Sequence, residues 1–224
     1  MNRRIGWVGV GALFLAVLPP ALKAQLAHPD LQSGKKVVHT VLILPAEANV
    51  VKSGVKGNEP LVEQSGALAS NFGSWVASAL SAVGCTVLPN AFSDESLNQN
   101  PDLKYALSNL QVRFDKVWGE LVRKPKDVRT GRYTMGDDVA NFSPGAAADA
   151  LVFVRGEEAV FTGGKKFLGA LSGTYVPSQA MQLRIALVDA QSGAILYVDS
   201  APPGIVQKDL EKAFKKFGNS KAKK

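Results

Sequence analysis

Cysteine and histidine are nearly missing from this chain: one of the first and two of the second among 224 residues. A single thiol cannot form a disulfide framework or a multi-thiolate zinc site, and two imidazoles cannot build a His-rich metal centre. G-x-S-x-G, H-E-x-x-H, G-x-G-x-x-G and Walker-type loops are all absent. The nucleophile-elbow hydrolases, zinc proteases, dinucleotide enzymes and P-loop proteins therefore lose their signatures here. The longest uncharged apolar run, residues 5–18, has 14 members, short of the ~20 a membrane-spanning helix needs. No repeat recurs at the ~20–50-residue periods of solenoids and propellers.

What is present is an ordinary globular composition, 46% hydrophobic and 20% charged. At ~100–200 residues per domain the length predicts one domain with tails. Residues 1–24 have the three parts of a secretory signal: Arg3 and Arg4, the apolar run 5–18, and Pro19-Pro20 before a cut after Ala24. No cysteine follows that run, so a lipid-modified start is not expected. The segment also carries three basic residues and no acid, leaving 23 basic residues against 19 acidic ones. Residues 208–224 hold seven lysines against Asp209 and Glu211. The intervening body, residues 25–207, is left at −1. The basic character thus belongs to the ends, and a nucleic-acid-binding face is not expected.

Along the chain, residues 25–36 are polar with turn signals and read as a flexible leader. Residues 37–45 (VVHTVLILP) form a β-branched run suited to a strand buried on both faces. Residues 46–59 are rich in Gly, Asn, Lys and Glu and read as an exposed loop. In residues 61–83, Leu68, Phe72, Trp75, Val76, Ala79, Leu80 and Val83 keep helical spacing, with Gly84 placed for a left-handed C-terminal cap. Residues 85–89 are a second strand, which makes a βαβ unit. Residues 90–100 read as a polar loop. Residues 101–122 are a second helix, with Leu103, Leu107, Leu110, Phe114, Val117, Trp118 and Leu121 on one face. A basic connector follows over 123–135, and residues 137–148 are a short helix or two turns. Residues 150–154 (ALVFV) are a third strand, extending to Phe161. The Gly-rich stretch 162–178 is assigned no element. Residues 181–189 and 194–200 form a hairpin around Ala190–Gly193. Residues 205–217 are an amphipathic helix, and 218–224 a basic disordered tail. The fold class is α/β: a three-layer mixed sheet of about five strands, βαβαβ followed by a hairpin and a C-terminal helix, within a single domain spanning 37–217.

Candidate chemistry is sparse. His28 lies in the leader and His39 inside a predicted strand, neither placed as a catalytic base. Cys85 reads as a buried inert thiol. Glu157-Glu158 are neighbours in a strand and point to opposite faces, so they cannot share a substrate. Asp137-Asp138 read as solvated turn charges. Gly163-Gly164-Lys165-Lys166 is open to two readings, a backbone anion cradle or a mobile turn with solvent-facing lysines. No catalytic, cofactor or metal residue is expected. The candidate binding residues are Lys208, Lys212, Lys215, Lys216, Lys221, Lys223 and Lys224, placed to meet an anionic surface.

Four segments carry a family resemblance: VLILP at 41–45, the helix 68–83 followed by GCTVL, ADALVFV at 148–154, and LRIALVDAQSGAILYV at 183–198. In this order the chain resembles the envelope α/β domains of the TolB amino-terminal, CsgG and LpoB group. That group's pattern of a small residue, Asp and an apolar run is matched at Ala148-Asp149, and its Asp-x-x-[ST]-Gly turn at Asp189–Gly193. The chain departs from the group in lacking a lipid-attachment cysteine and a following β-propeller, so pore formation and anchoring do not carry over. The resemblance implies a non-catalytic interaction or assembly module in the periplasm, or secreted, that binds another envelope protein. The alternative is a binder of lipid headgroups or cell-wall polymer through the C-terminal lysines. A hydrolase with an unrecognised site ranks behind both.

Overall fold

The strand Ala150–Phe161 decides the architecture. Its run ALVFVRGEEAVF is apolar on both faces at the start, so it must be covered from both sides. The computed structural model describes residues 26–124, 126–172, 177 and 179–216. The predicted signal segment and the tail beyond residue 216 lie outside them. In chain order the elements are β1 Leu26–Ala27, α1 Pro29–Gln32, β2 Thr40–Ile43, β3 Glu47–Gly54, β4 Gly57–Pro60 and α2 Val62–Ala82. Next come β5 Thr86–Val87, α3 Asp94–Gln99, α4 Pro101–Arg123, α5 Lys126–Arg129 and α6 Asp137–Ala140. The last are β6 Ala150–Phe161, α7 Gly163–Leu171, β7 Gln179–Asp189, β8 Ile195–Ala201 and α8 Pro203–Lys216.

These strands form one eight-stranded mixed sheet with the path β1-β8-β7-β6-β2-β5. The fold is α/β, with more strands than the five expected. β6 is long enough to take two parallel partners in succession. Val41–Ile43 of β2 pair with Ala150–Val152, and Glu47–Ser53 of β3 pair with Arg155–Phe161. β4 folds back antiparallel on β3. β5 is parallel to β2, so the expected βαβ unit exists, but the β3–β4 hairpin is inserted before its helix.

Two apolar layers sandwich the sheet. On one face, α2 and α8 bring Phe72, Val76, Leu80, Val206, Leu210 and Phe214 onto Val152, Val154, Ile185 and Leu187. On the other, α4 brings Leu110, Phe114, Trp118 and Leu121 onto Leu151, Phe153, Ala186 and Val188. Each such aliphatic or aromatic side chain contributes roughly 1.5–3 kcal/mol on burial. Leu80 is fully buried, as its place on the stripe predicts, whereas Trp75 packs only partly against the same core.

The helix ends follow local chemistry. After α2, Gly84 takes φ 93°, Cys85 N–H donates to the Leu80 carbonyl, and Gly84 N–H to that of Ser81. That is a Schellman closure, which needs a residue free of Cβ strain. At the start of α4, the Asn100 side chain accepts the Leu103 N–H at 3.0 Å, and Pro101 opens the first turn.

Several segments depart from the expectation. Residues 46–59, expected as a loop, are the β3–β4 hairpin; only Val50 and Ser53 of it are buried, so apolar alternation was too weak to mark it. Residues 26–36, expected as a leader, carry β1, which pairs antiparallel with β8, and α1. The polar loop 90–100 holds α3, capped by the Ser93 hydroxyl. The Gly-rich stretch contains α7. His39, expected within a buried strand, is exposed just ahead of β2.

Candidate functional site

Two groups of charged side chains are built at long range in sequence. The first latches the sheet. Asp149, immediately before β6, accepts the backbone N–H groups of His39 and Thr40, both at 2.8 Å, and the Thr40 hydroxyl at 3.0 Å. Asp189, at the end of β7, accepts the N–H groups of Gln191 and Ser192 at 3.0 and 2.9 Å. It also accepts the Ser192 hydroxyl and pairs with the Lys36 ammonium. Burial opposes ionisation of both carboxyls. For Asp149 the Thr40 and His39 N–H groups outweigh it, and for Asp189 the Lys36 ammonium and the Ser192 N–H do so. Both are held below the ordinary carboxylate range. The two aspartates carried by the sequence motifs are therefore structural ties. Gly193 completes the turn at φ 69°, and a Cβ there would stand 2.6 Å from the Gly136 carbonyl oxygen.

The second group lines a groove of about 550 Å³ between the C-terminal half of α4 and strands β3, β6 and β7. Strand register places Glu47, Arg155 and Arg184 side by side. Arg155 is buried. Its Nε and Nη2 grip the two Asp115 oxygens at 3.0 and 3.1 Å, and Nη2 also donates to the Gln111 carbonyl at 3.3 Å. Nη1 lies against the Glu47 carboxylate, and the guanidinium sits 5.9 Å from the Phe114 ring centre. Arg184 repeats the arrangement one strand over. Its Nη2 lies 2.8 Å from each Glu157 oxygen, and its guanidinium stands 5.7 Å from the Trp118 ring centre. Two arginines directly opposite on paired strands repel. Glu47, Asp115 and Glu157 interleave with them and cancel that repulsion. With Arg123 also on the wall, three guanidinium groups meet three carboxylates.

The ion pairs hold the charges of the groove in fixed positions. Each carboxylate named is paired with an arginine, which orients it toward that partner. Elsewhere, His28 caps α1 by accepting the Asp30 N–H at Nδ1. The Cys85 thiol is buried and donates to the Val38 carbonyl at 3.7 Å. Among the described residues no three His, Cys, Asp or Glu side chains are grouped to hold a metal, and no helix is long and apolar enough to cross a membrane.

The residues singled out in the sequence are distributed as follows. Lys208, Lys212 and Lys215 are exposed on one side of α8, whose other side is buried. Lys216 ends that helix, and Lys221, Lys223 and Lys224 lie outside the described residues. Glu157 and Glu158 have separate partners, Arg184 and Gln179, as opposite strand faces require. Gly163-Gly164-Lys165-Lys166 is the first turn of α7. Its Lys165 turns back to Ser53 Oγ at 2.6 Å and lies 5.2 Å from the Phe161 ring centre, so neither a mobile turn nor an open cradle describes it. Sequence reading missed the groove. The signal was one charged residue, Arg155, inside an apolar strand, and a second, Arg184, inside the hairpin LRIALV.

No protein-family model and no curated protein matches the chain. Among solved structures, the chain has a distant likeness to the crystal structure of the lipoprotein GNA1162 from Neisseria meningitidis. The two are 17% identical over 73% of this chain and 80% of that one, with a TM-score of 0.35. This likeness does not establish the TolB, CsgG and LpoB group.

Proposed function

We propose that this chain is a non-catalytic module of the bacterial cell envelope, exported by its N-terminal signal, that works by binding another envelope protein at the Arg155–Arg184 groove. The observation that carries the reading is the groove's composition. Buried Arg155 and Trp118 form its floor, while the half-exposed carboxylates of Glu47 and Asp115 and the exposed Arg123 present charges of both signs that a partner's charges can meet. Arg155 and Arg184 are held in place before any partner arrives, which lowers the cost of binding.

Gly119 provides the test. It is exposed on α4 at the groove wall, and a Cβ there meets nothing within 4 Å. Gly119→Trp fills the groove without disturbing the core. The native chain should retain a protein from envelope extracts at about 0.5 M salt, where exposed charge attraction is largely screened. Gly119→Trp should lose that protein and keep its melting temperature. Equal retention by Gly119→Trp would remove the groove from the function. A second reading, weak attachment to an anionic lipid or cell-wall polymer through α8, is supported by the outward lysines 208, 212 and 215. It predicts that all binding disappears at the same salt.

A further inference from the structure

Helix α7 is packed inside out. A helix on a domain surface ordinarily turns its apolar stripe to the core. In α7 the buried residue is Gly169, while Phe167, Leu168 and Leu171 are 64%, 49% and 70% exposed. Val55, at the tip of the β3–β4 hairpin, is 60% exposed. Its Cγ2 lies 3.3 Å from where a Cβ on Gly164 would stand. Hairpin tip and helix therefore adjoin. The charge around them is mostly of one sign: Lys56 on the hairpin and Lys166 on the helix, with Lys52 pairing with Glu59 at 3.6 Å and Lys165 turned back to Ser53.

We infer that α7 and the hairpin tip form a docking element for the surface of an anionic phospholipid bilayer, with Phe167, Leu168, Leu171 and Val55 entering the interface and the lysines meeting headgroup phosphates. Two arguments select this occupant. The four side chains expose roughly 400 Å² together, about half of the ~800 Å² each partner gives to a stable protein interface. A bilayer has no such threshold, since a few apolar side chains and a ring of cations add their contributions separately. The cations also favour an anionic surface over a neutral apolar one. This site is separate from the Arg155–Arg184 groove and does not depend on it.

The test uses the purified chain and liposomes containing about 30 mol% phosphatidylglycerol in phosphatidylcholine, with pure phosphatidylcholine as the neutral control. Five chains are compared: native, Phe167→Ser/Leu171→Ser, Gly119→Trp, Phe167→Trp, and one lacking residues 218–224. The native chain should sediment with the anionic liposomes far more than with the neutral ones. Phe167→Ser/Leu171→Ser should lower its apparent affinity at least about tenfold with an unchanged melting temperature, because both residues are exposed. Gly119→Trp should bind as the native chain does. Phe167→Trp should show a blue-shifted emission on anionic liposomes, above any change in the native chain. Binding that survives the double substitution but is lost on removing residues 218–224 would overturn the inference and give the attraction to the C-terminal lysines. So would a native dimer that the double substitution turns into a monomer, since the patch would then be covered by a second copy.

Discussion

Gly156 is the tightest point between the sheet and α2, and substituting it tests the packing most directly. It lies in β6, in register with Ala48 of β3 and Leu183 of β7. A Cβ at this position would fall inside the Phe72 ring edge, far within contact of Cε2 and Cδ2, and 3.3 Å from the Ala48 Cβ. The strand cannot retreat, because β3 and β7 hold it on both sides. The ring cannot swing outward freely, because Phe72 is almost fully buried in the α2 layer. Overpacking of this kind costs about 1–3 kcal/mol, and removing a strand glycine returns roughly 0.5–1 kcal/mol by restricting the unfolded chain. Gly156→Ala should therefore destabilise by about 1–2 kcal/mol. Phe72→Ala alone should cost about 3–5 kcal/mol through the cavity it leaves.

The double variant decides the matter. With the ring gone, the new methyl has room and fills part of the cavity. Gly156→Ala/Phe72→Ala should then be no less stable than Phe72→Ala by itself, a coupling of about 1–2 kcal/mol between the two positions. Urea denaturation followed by circular dichroism gives all four stabilities. If Gly156→Ala falls within about 0.5 kcal/mol of the native chain, or if the two losses simply add, then α2 does not press on β6 as described.

Three further outcomes follow from the charged groups. Burial raises the Asp199 carboxyl to about 6, with Asp209 adding to the shift and the Tyr197 hydroxyl and Ser200 N–H opposing it. The folded state therefore holds this proton more tightly than the unfolded one, and stability should fall as pH rises from about 4 through about 6. The shift sets a ceiling of roughly 3 kcal/mol, which residual solvent screening reduces to on the order of 1–2 kcal/mol. Asp199→Asn should abolish that loss between pH 5 and 7.5 in urea melts, and an unchanged slope would refute the assignment. Lys36→Met should lower stability at pH 7 by ~1–3 kcal/mol by leaving Asp189 buried without its cation. The difference should shrink as acid begins to protonate that carboxyl, which chemical denaturation at pH 7 and pH 3 would show. Removing residues 218–224 should leave the melting temperature unchanged, since the helical face of α8 that meets the core ends at Phe214; a large drop in calorimetry would refute this.

Much of the fold was legible because its elements separate water from core with a regular period. α2, α4 and α8 each carry an unbroken apolar stripe, and their bounds fall within about two residues of the expected ones. β6 was read to its last residue, and the β7–β8 hairpin was marked by Asp189–Gly193. The β3–β4 hairpin escaped for a physical reason. Within β3 only Val50 and Ser53 are buried, and they lie on opposite faces, so no period-2 stripe appears. Its strand identity comes from hydrogen bonds to β6, formed with residues about a hundred positions away, and no local pattern records those. β1 is two residues long and owes its pairing wholly to β8.

The candidate sites were illegible for a related reason, because both are exceptions to the partition that periodicity detects. Arg155 is a charge where the pattern asks for an apolar residue. It is tolerated only because Asp115 and Gln111 on α4 and Glu47 on β3 arrive to satisfy it, and an unpaired buried guanidinium would cost several kcal/mol. That cost makes the cluster interdependent. α4 cannot shift along the sheet without breaking the two-point grip on Asp115, so the charges fix the register of a helix that apolar contact alone would hold less specifically. α7 is the opposite exception, an apolar face where the pattern asks for a polar one. Nothing among the described residues offsets the exposure of Phe167 and Leu171. Burial of that face outside the chain would offset it, and the lysines on either side restrict what can do so to a surface of opposite charge.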